Sequence, residues 1–213
     1  MTWNKNLPSG TSAMQDSDDA IRANWSALET SLGTNIGTRL NYLNDNDIVA
    51  GAGISATKLK GALVQYKQAI MSAAYTTTSQ SYVTPTGLEG TITPTSVTSI
   101  IRLSCMINMQ VQADTGHAYA TVYRGTSPLA IGDAAGDRNR STFCCNNWGN
   151  NGNPAFSINF FDTPTSTSPT VYSIQVKSSS GGIVYVNRSF RDNNGAVFDG
   201  RVVSSILIEE ISQ

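Results

Sequence analysis

The chain is short of charge. Of its 213 residues only 14% are Asp, Glu, Lys or Arg, against roughly a quarter in ordinary globular domains. The 14 basic and 15 acidic residues nearly cancel, for a net charge of −1. With no basic excess to neutralise phosphates, nucleic acid is not expected as a partner. Histidine is almost absent: there is one, His117. A site built from several histidines of one chain is therefore excluded. Any Ser-His or Cys-His dyad would have to use His117, which opens a run, HAYATVY, that reads as a strand. Cysteine is scarce too. The three thiols, Cys105, Cys144 and Cys145, are odd in number and lack the spacing of a secreted disulfide framework. Adjacent Cys144 and Cys145 point to opposite faces of an extended chain, which makes them poor ligands for one metal. No apolar run approaches the roughly 18 residues of a membrane helix, so no membrane insertion is expected. The opening MTWNKNLPSGTSAMQDSDD lacks the apolar region of a secretory leader. The P-loop, the dinucleotide fingerprint, the G-x-S-x-G elbow and C-x-x-C are all missing. These absences point away from an enzyme, and no cofactor or metal is expected.

What the chain has in excess is small and polar: Ser, Thr, Asn and Gly supply 84 residues. Its pattern changes near residue 76. Before that point the apolar spacing is helical. Capping acids at Asp16, Asp18 and Asp19 precede Ile21, Trp25, Leu28 and Leu32, whose 4-3-4 spacing marks one face of a helix. A second 4-3-4 seam follows at Leu59, Leu63, Tyr66 and Ile70. The two seams are too short to be stable alone, so each needs a partner. After residue 76 the spacing alternates. Residues 97–113 place Val97, Ile101, Leu103, Cys105, Ile107, Met109, Val111 and Ala113 on one face, the pattern of a long half-buried strand. Further strands are expected at 90–93, 118–123, 129–131, 141–145, 155–161, 171–177, 183–187 and 201–211, separated by turn clusters. The expected fold is mostly β, an antiparallel jelly-roll sandwich with an N-terminal helical or extended segment. The last strand is apolar on both faces, with Val203, Leu207 and Ile211 on one and Val202, Ile206 and Ile208 on the other. A strand buried on both sides lies inside a layered structure, so one of these faces is expected to be an oligomer interface, and Val202, Ile206 and Ile208 are assigned to it.

Several segments resemble a known group. ITPTSVTS (92–99), VYRGTSPLAIGDAAGDRNRSTF (122–143), FFDTPTSTSPTVYSIQVKSSSGGIVYVNRS (160–189) and VVSSILIEEIS (202–212) are similar to the C-terminal domain of tailed-bacteriophage tail fibre and fibre-like virion proteins. DDAIRANWSALETSLG (18–33) resembles the N-terminal segment of short phage structural proteins, and GAGISATKLKGAL (51–63) a fibre linker. The resemblance implies a structural protein of the virion, made in the host cytoplasm, homotrimeric, with a knob of the jelly-roll type found in tumour-necrosis-factor-like and C1q-like heads. The expected plan has three parts: residues 1–33 as a virion-attachment segment with a short helix, 34–75 as a linker and short helical neck, and 76–213 as the β-sandwich knob. In one reading the protein is a short tail fibre whose knob faces the host surface; the alternative is a head fibre or capsid decoration protein.

Site candidates follow from this plan. Trp3, Ile21, Trp25 and Leu28 are the candidates for docking on another virion protein of the tail, baseplate or capsid, because an aromatic in a polar leader has nothing local to pack against. Leu59, Leu63, Tyr66 and Ile70 are the candidates for a trimeric neck. Trp148 sits among asparagines that include Asn150 and Asn151. Its ring either stacks on a host-surface glycan while the amides bind hydroxyls, or folds back as a loop anchor. Asp133, Asp137, Arg138 and Arg140 are expected to form a salt-bridged turn rather than a calcium site, which would need more oxygen ligands.

Overall fold

A computed structural model describes residues 21–32, 59–112, 116–146, 152–195, 197 and 199–213. The chain divides into two units, residues 1–53 and 54–213. In the first, residues 21–32 form a helix, α1. Ile21, Trp25 and Leu32 are more than half exposed on it.

Among the described residues the second unit has eleven strands: β1 (Leu63–Met71), β2 (Tyr75–Thr77), β3 (Glu89–Ile92), β4 (Ile100–Val111), β5 (Ala118–Arg124), β6 (Ser127–Leu129), β7 (Phe143–Cys145), β8 (Ala155–Asp162), β9 (Thr170–Ser178), β10 (Val184–Val186) and β11 (Ser204–Ile211). They make two antiparallel sheets in a sandwich-like arrangement. One has the order β1-β11-β4-β10-β2 with β8 on the other edge of β4; the second has the order β3-β9-β5-β6 with β7 also on β5. β11 pairs with β4 over Ile100–Met106 and β10 over Met109–Val111, so these two strands lie end to end beside it.

Alternation decides what lies inside. Ile101, Leu103, Cys105, Ile107, Met109 and Val111 of β4 point into the sandwich and are almost wholly buried. Ala118, Ala120 and Val122 of β5 and Tyr172, Ile174 and Val176 of β9 meet them from the other sheet. Small residues on β5 admit the larger ones opposite, which is how a sandwich core reaches close packing. Val97, expected on the same face as Ile101, precedes β4 and is 56% exposed.

A buried polar hub ties the strand junctions. Asn187, in the left-handed region at φ 62°, donates from Nδ2 to the carbonyls of Met71 (2.7 Å) and Ala73 (3.2 Å). Its Oδ1 accepts from Ser204 Oγ at 2.6 Å, and Ser204 Oγ in turn accepts from the Asn108 amide at 2.9 Å. Asparagine tolerates this backbone conformation better than most residues, and its amide satisfies carbonyls freed where β1 gives way to β2.

One expected element is replaced. The seam at Leu63, Tyr66 and Ile70 is a strand, β1, and not a helical neck. β1 pairs with β11 from Leu63↔Ile211 to Met71↔Ser204, with a register shift between Leu63 and Gln65. The extra residue of this bulge turns a spacing of three into a same-face spacing, and the next spacing of four is already same-face in a strand. A bulged strand therefore imitates a helical 4-3-4 pattern. The boundary expected at residue 76 moves accordingly, because β1 belongs to the sandwich.

Candidate functional site

The expected sites fall in three places. Trp3, Trp148, Asn150 and Asn151 lie outside the described residues. On α1, Ile21, Trp25 and Leu28 share a face and, with Asn24, line a shallow apolar pocket. The third place is the outer surface of the β1-containing sheet.

The last strand requires a correction. Ile206 and Ile208 are wholly buried in the core of the chain itself, and Val202, just ahead of β11, is half-buried. Ile206 pairs with Cys105 and Ile208 with Leu103, both core residues of β4. They are filled by the second sheet and not left for a neighbouring subunit. The period of two then sends Ser205, Leu207, Glu209 and Ile211 outward.

Register assembles that outward surface into rows. Leu63, Ile211 and Ile100 form one row across β1, β11 and β4. Tyr66, Glu209, Arg102 and Phe161 form the next, and Gln68, Leu207, Ser104 and Asn159 another. Ile70, Ser205, Met106 and Ser157 complete the face. Tyr66 is 65% exposed and Phe161 67%, with Leu63 and Ile70 about half exposed. Leu59, in the turn before β1, is also half exposed, and its carbonyl accepts from Ser212 Oγ.

The charges on this face cancel internally. Arg102 donates from Nε and Nη2 to the two carboxylate oxygens of Glu209, each at 2.7 Å. The bidentate geometry is the strong form of this pair, and it raises the Arg102 guanidinium above its ordinary value through the hydrogen bond and charge of Glu209. The face thus mixes exposed apolar side chains with uncharged polar ones around a self-neutralised pair. Leu63, Tyr66 and Ile70 were visible in the sequence as a seam. Phe161, Leu207, Ile100 and Met106 join them only because four strands come into register.

Other candidates are closed. Arg138 donates to the Ala135 carbonyl at 3.2 Å and Arg140 to the Gly132 carbonyl at 2.7 Å. The turn is held by these carbonyl contacts and not by the expected salt bridges; Asp133 and Asp137 are exposed. Nearer the C-terminus, Asp192 receives Arg201 and Arg188, and Asp199 receives Arg191 and Ser189. The Arg191 contact, ahead of the others, holds the Asp199 carboxyl below its ordinary value. Among the described residues no group of three His, Cys, Asp or Glu is placed to hold a metal ion. Burial pushes the Cys105 and Cys145 thiols up to about 12, so neither is a nucleophile at neutral pH.

No protein-family model matches the chain, and no curated protein matches it.

Proposed function

We propose that the protein is a non-enzymatic structural protein of a tailed-phage virion, a trimeric short tail fibre whose knob faces the host surface. The observation that carries this reading is the set of exposed apolar side chains on the outer face of the β1-β11-β4-β8 layer. A chain with so few charges has set Leu63, Tyr66, Ile70, Phe161 and Leu207 on a single side of one sheet. Exposed large apolar side chains gathered on one face mark an association site, and the neutralised Arg102–Glu209 pair leaves no net charge to oppose two copies meeting there. Three such faces turned toward a common axis would bury the rows and leave the second sheet outward. The strand orders β1-β11-β4-β8 and β3-β9-β5-β7 support the jelly-roll form of the sandwich, in which the first and last strands are neighbours. The exposed face of α1, with Ile21, Trp25 and Leu28, then serves as the grip on another virion protein.

Light scattering of the full chain tests the assembly. The expected mass is three times the 22.7 kDa of one chain. Leu207→Asp places a charge in the middle of the face without disturbing the core, and is expected to give a folded monomer. A wild-type chain that is monomeric at micromolar concentration would overturn the reading.

A further inference from the structure

The outer surface of the second sheet has a different chemistry. Its outward positions are Glu89 and Thr91 on β3, Tyr119, Thr121 and Tyr123 on β5, Cys144 on β7, and Val171, Ser173, Gln175 and Lys177 on β9, of which Thr121 and Ser173 are buried. Lys177 is the single cation among them, and Glu89 stands across from Ser173, four residues along β9 from Lys177. Tyr119 pairs with Lys177 on one side and Cys144 on the other. Beyond β9, Val83 bridges to Val176, which sets Tyr82 beside Lys177. A cross-strand row therefore runs Tyr82, Lys177, Tyr119, Cys144.

The row is an organised cation site. Lys177 Nζ lies 4.9 Å from the centre of the Tyr82 ring and 5.6 Å from that of Tyr119. It donates to Asn139 Oδ1 at 2.8 Å. Tyr82 is held over the sheet by two bonds of its hydroxyl: it accepts from Thr121 Oγ1 at 2.9 Å and donates to the Arg140 carbonyl at 3.3 Å. Tyr123 packs edge-on against Tyr82 at 5.5 Å, and His117 stacks on Tyr119 at 6.2 Å. The ammonium is held in place by rings and one neutral amide, with no carboxylate attached. Arg138 and Arg140, on the loop that carries Asn139, are likewise bonded only to carbonyls. Among the described residues none of these three cations has an ion-pair partner, although Asp133 and Asp137 are carried by the same loop.

We propose that this face binds an acidic oligosaccharide, with the sugar carboxylate taken by Lys177 and the sugar rings lying against the Tyr82, Tyr119 and His117 edges. Charge complementarity carries the choice of ligand. An ammonium with three N–H donors spends one on Asn139 and keeps the others for an anion. The nearby Gln175, Asn139 and Tyr groups match hydroxyls, and aromatic rings with a polar tip suit a ligand that is apolar on its faces and wet at its edges. A nucleic acid would meet too little positive charge on a chain of net −1. The proposal adds a site and a ligand class to the host-facing reading above and rests on that reading only for its setting. Binding is measured on the purified full chain, and trimer formation is read separately by mass.

The experiment is a surface array of hyaluronan, alginate and polysialate oligosaccharides beside neutral maltooctaose. The expected result is retention on at least one acidic glycan and not on maltooctaose, weakened in about 0.5 M salt, where charge contacts are screened. Lys177→Gln is expected to reduce affinity about tenfold or more, the loss of one charge-assisted contact, while Lys177→Arg retains binding. Should Lys177→Gln lose its fold, Asn139→Asp serves instead. It neutralises the ammonium from an exposed loop and is expected to abolish retention at an unchanged melting temperature. Retention on no acidic glycan, equal retention on the neutral one, or binding indifferent to both substitutions overturns the proposal.

Discussion

Glu210 is wholly buried, yet it is an anion with a complete set of donors. It accepts from Gln65 Nε2 at 2.6 Å, from the Thr95 amide at 2.7 Å, and from Thr95 Oγ1 and Ser99 Oγ at 2.6 Å each. Burial alone would raise its carboxyl, but the hydrogen bonds outweigh burial and hold it below the ordinary value. A depressed native value stabilises the fold above the unfolded carboxyl value of about 4.3, and that contribution is lost as pH falls through the native value. Glu210→Gln sets an amide N–H₂ against the Gln65 Nε2 group or the Thr95 N–H, which can only donate. It is expected to cost about 2–3 kcal/mol at pH 7, and the gap from wild type is expected to narrow on acidification toward pH ~3. Urea midpoints at the two pH values measure this; a gap independent of pH would contradict the ionised state. None of the partners was legible beforehand. In the sequence Glu209 and Glu210 are simply two acids within the last expected strand, and only the fold brings Thr95, Ser99 and Gln65 to one of them and Arg102 to the other.

Among the elements, β7 and β1 read with opposite success. Cys144 and Cys145 were expected on opposite faces of an extended segment, and β7 places Cys144 outward and Cys145 in the core. A thiol reagent on the native protein is therefore expected to modify Cys144 alone, with Cys105 and Cys145 reacting only after denaturation. Absorbance of the released chromophore counts the thiols, and rapid native reaction of all three would refute the burial. For β1 the spacing was legible and its meaning was not. A bulge between Leu63 and Gln65 gives a strand the apolar spacing of a helix. The deciding factor is the unsatisfied edge of β11, which supplies a hydrogen-bonding partner along the length of β1. A lone two-turn helix would have had none.

At the scale of the molecule, the placement of β1 moves the edge of the folded unit. A fragment of residues 76–213 would lack β1, strip a paired edge from β11 and uncover Ile206 and Ile208. It is expected to be unfolded or aggregated. A fragment of residues 54–213 keeps both sheets and is expected to melt cooperatively near the full chain's temperature and to keep its oligomeric mass. Circular dichroism melts of the two fragments decide the point, and a stable 76–213 fragment would show β1 to be dispensable.

The sequence by itself determined the β class, the position of most strands and the inward face of β4, because period-two alternation is a local consequence of an extended chain. It also determined the helical face of α1. Which face of β11 is core, which residues complete the row with Tyr66, and which rings surround Lys177 were decided only in three dimensions. A strand apolar on both sides carries no local label for inside or outside. That label comes from the register with β4 and from the sheet that happens to cover it.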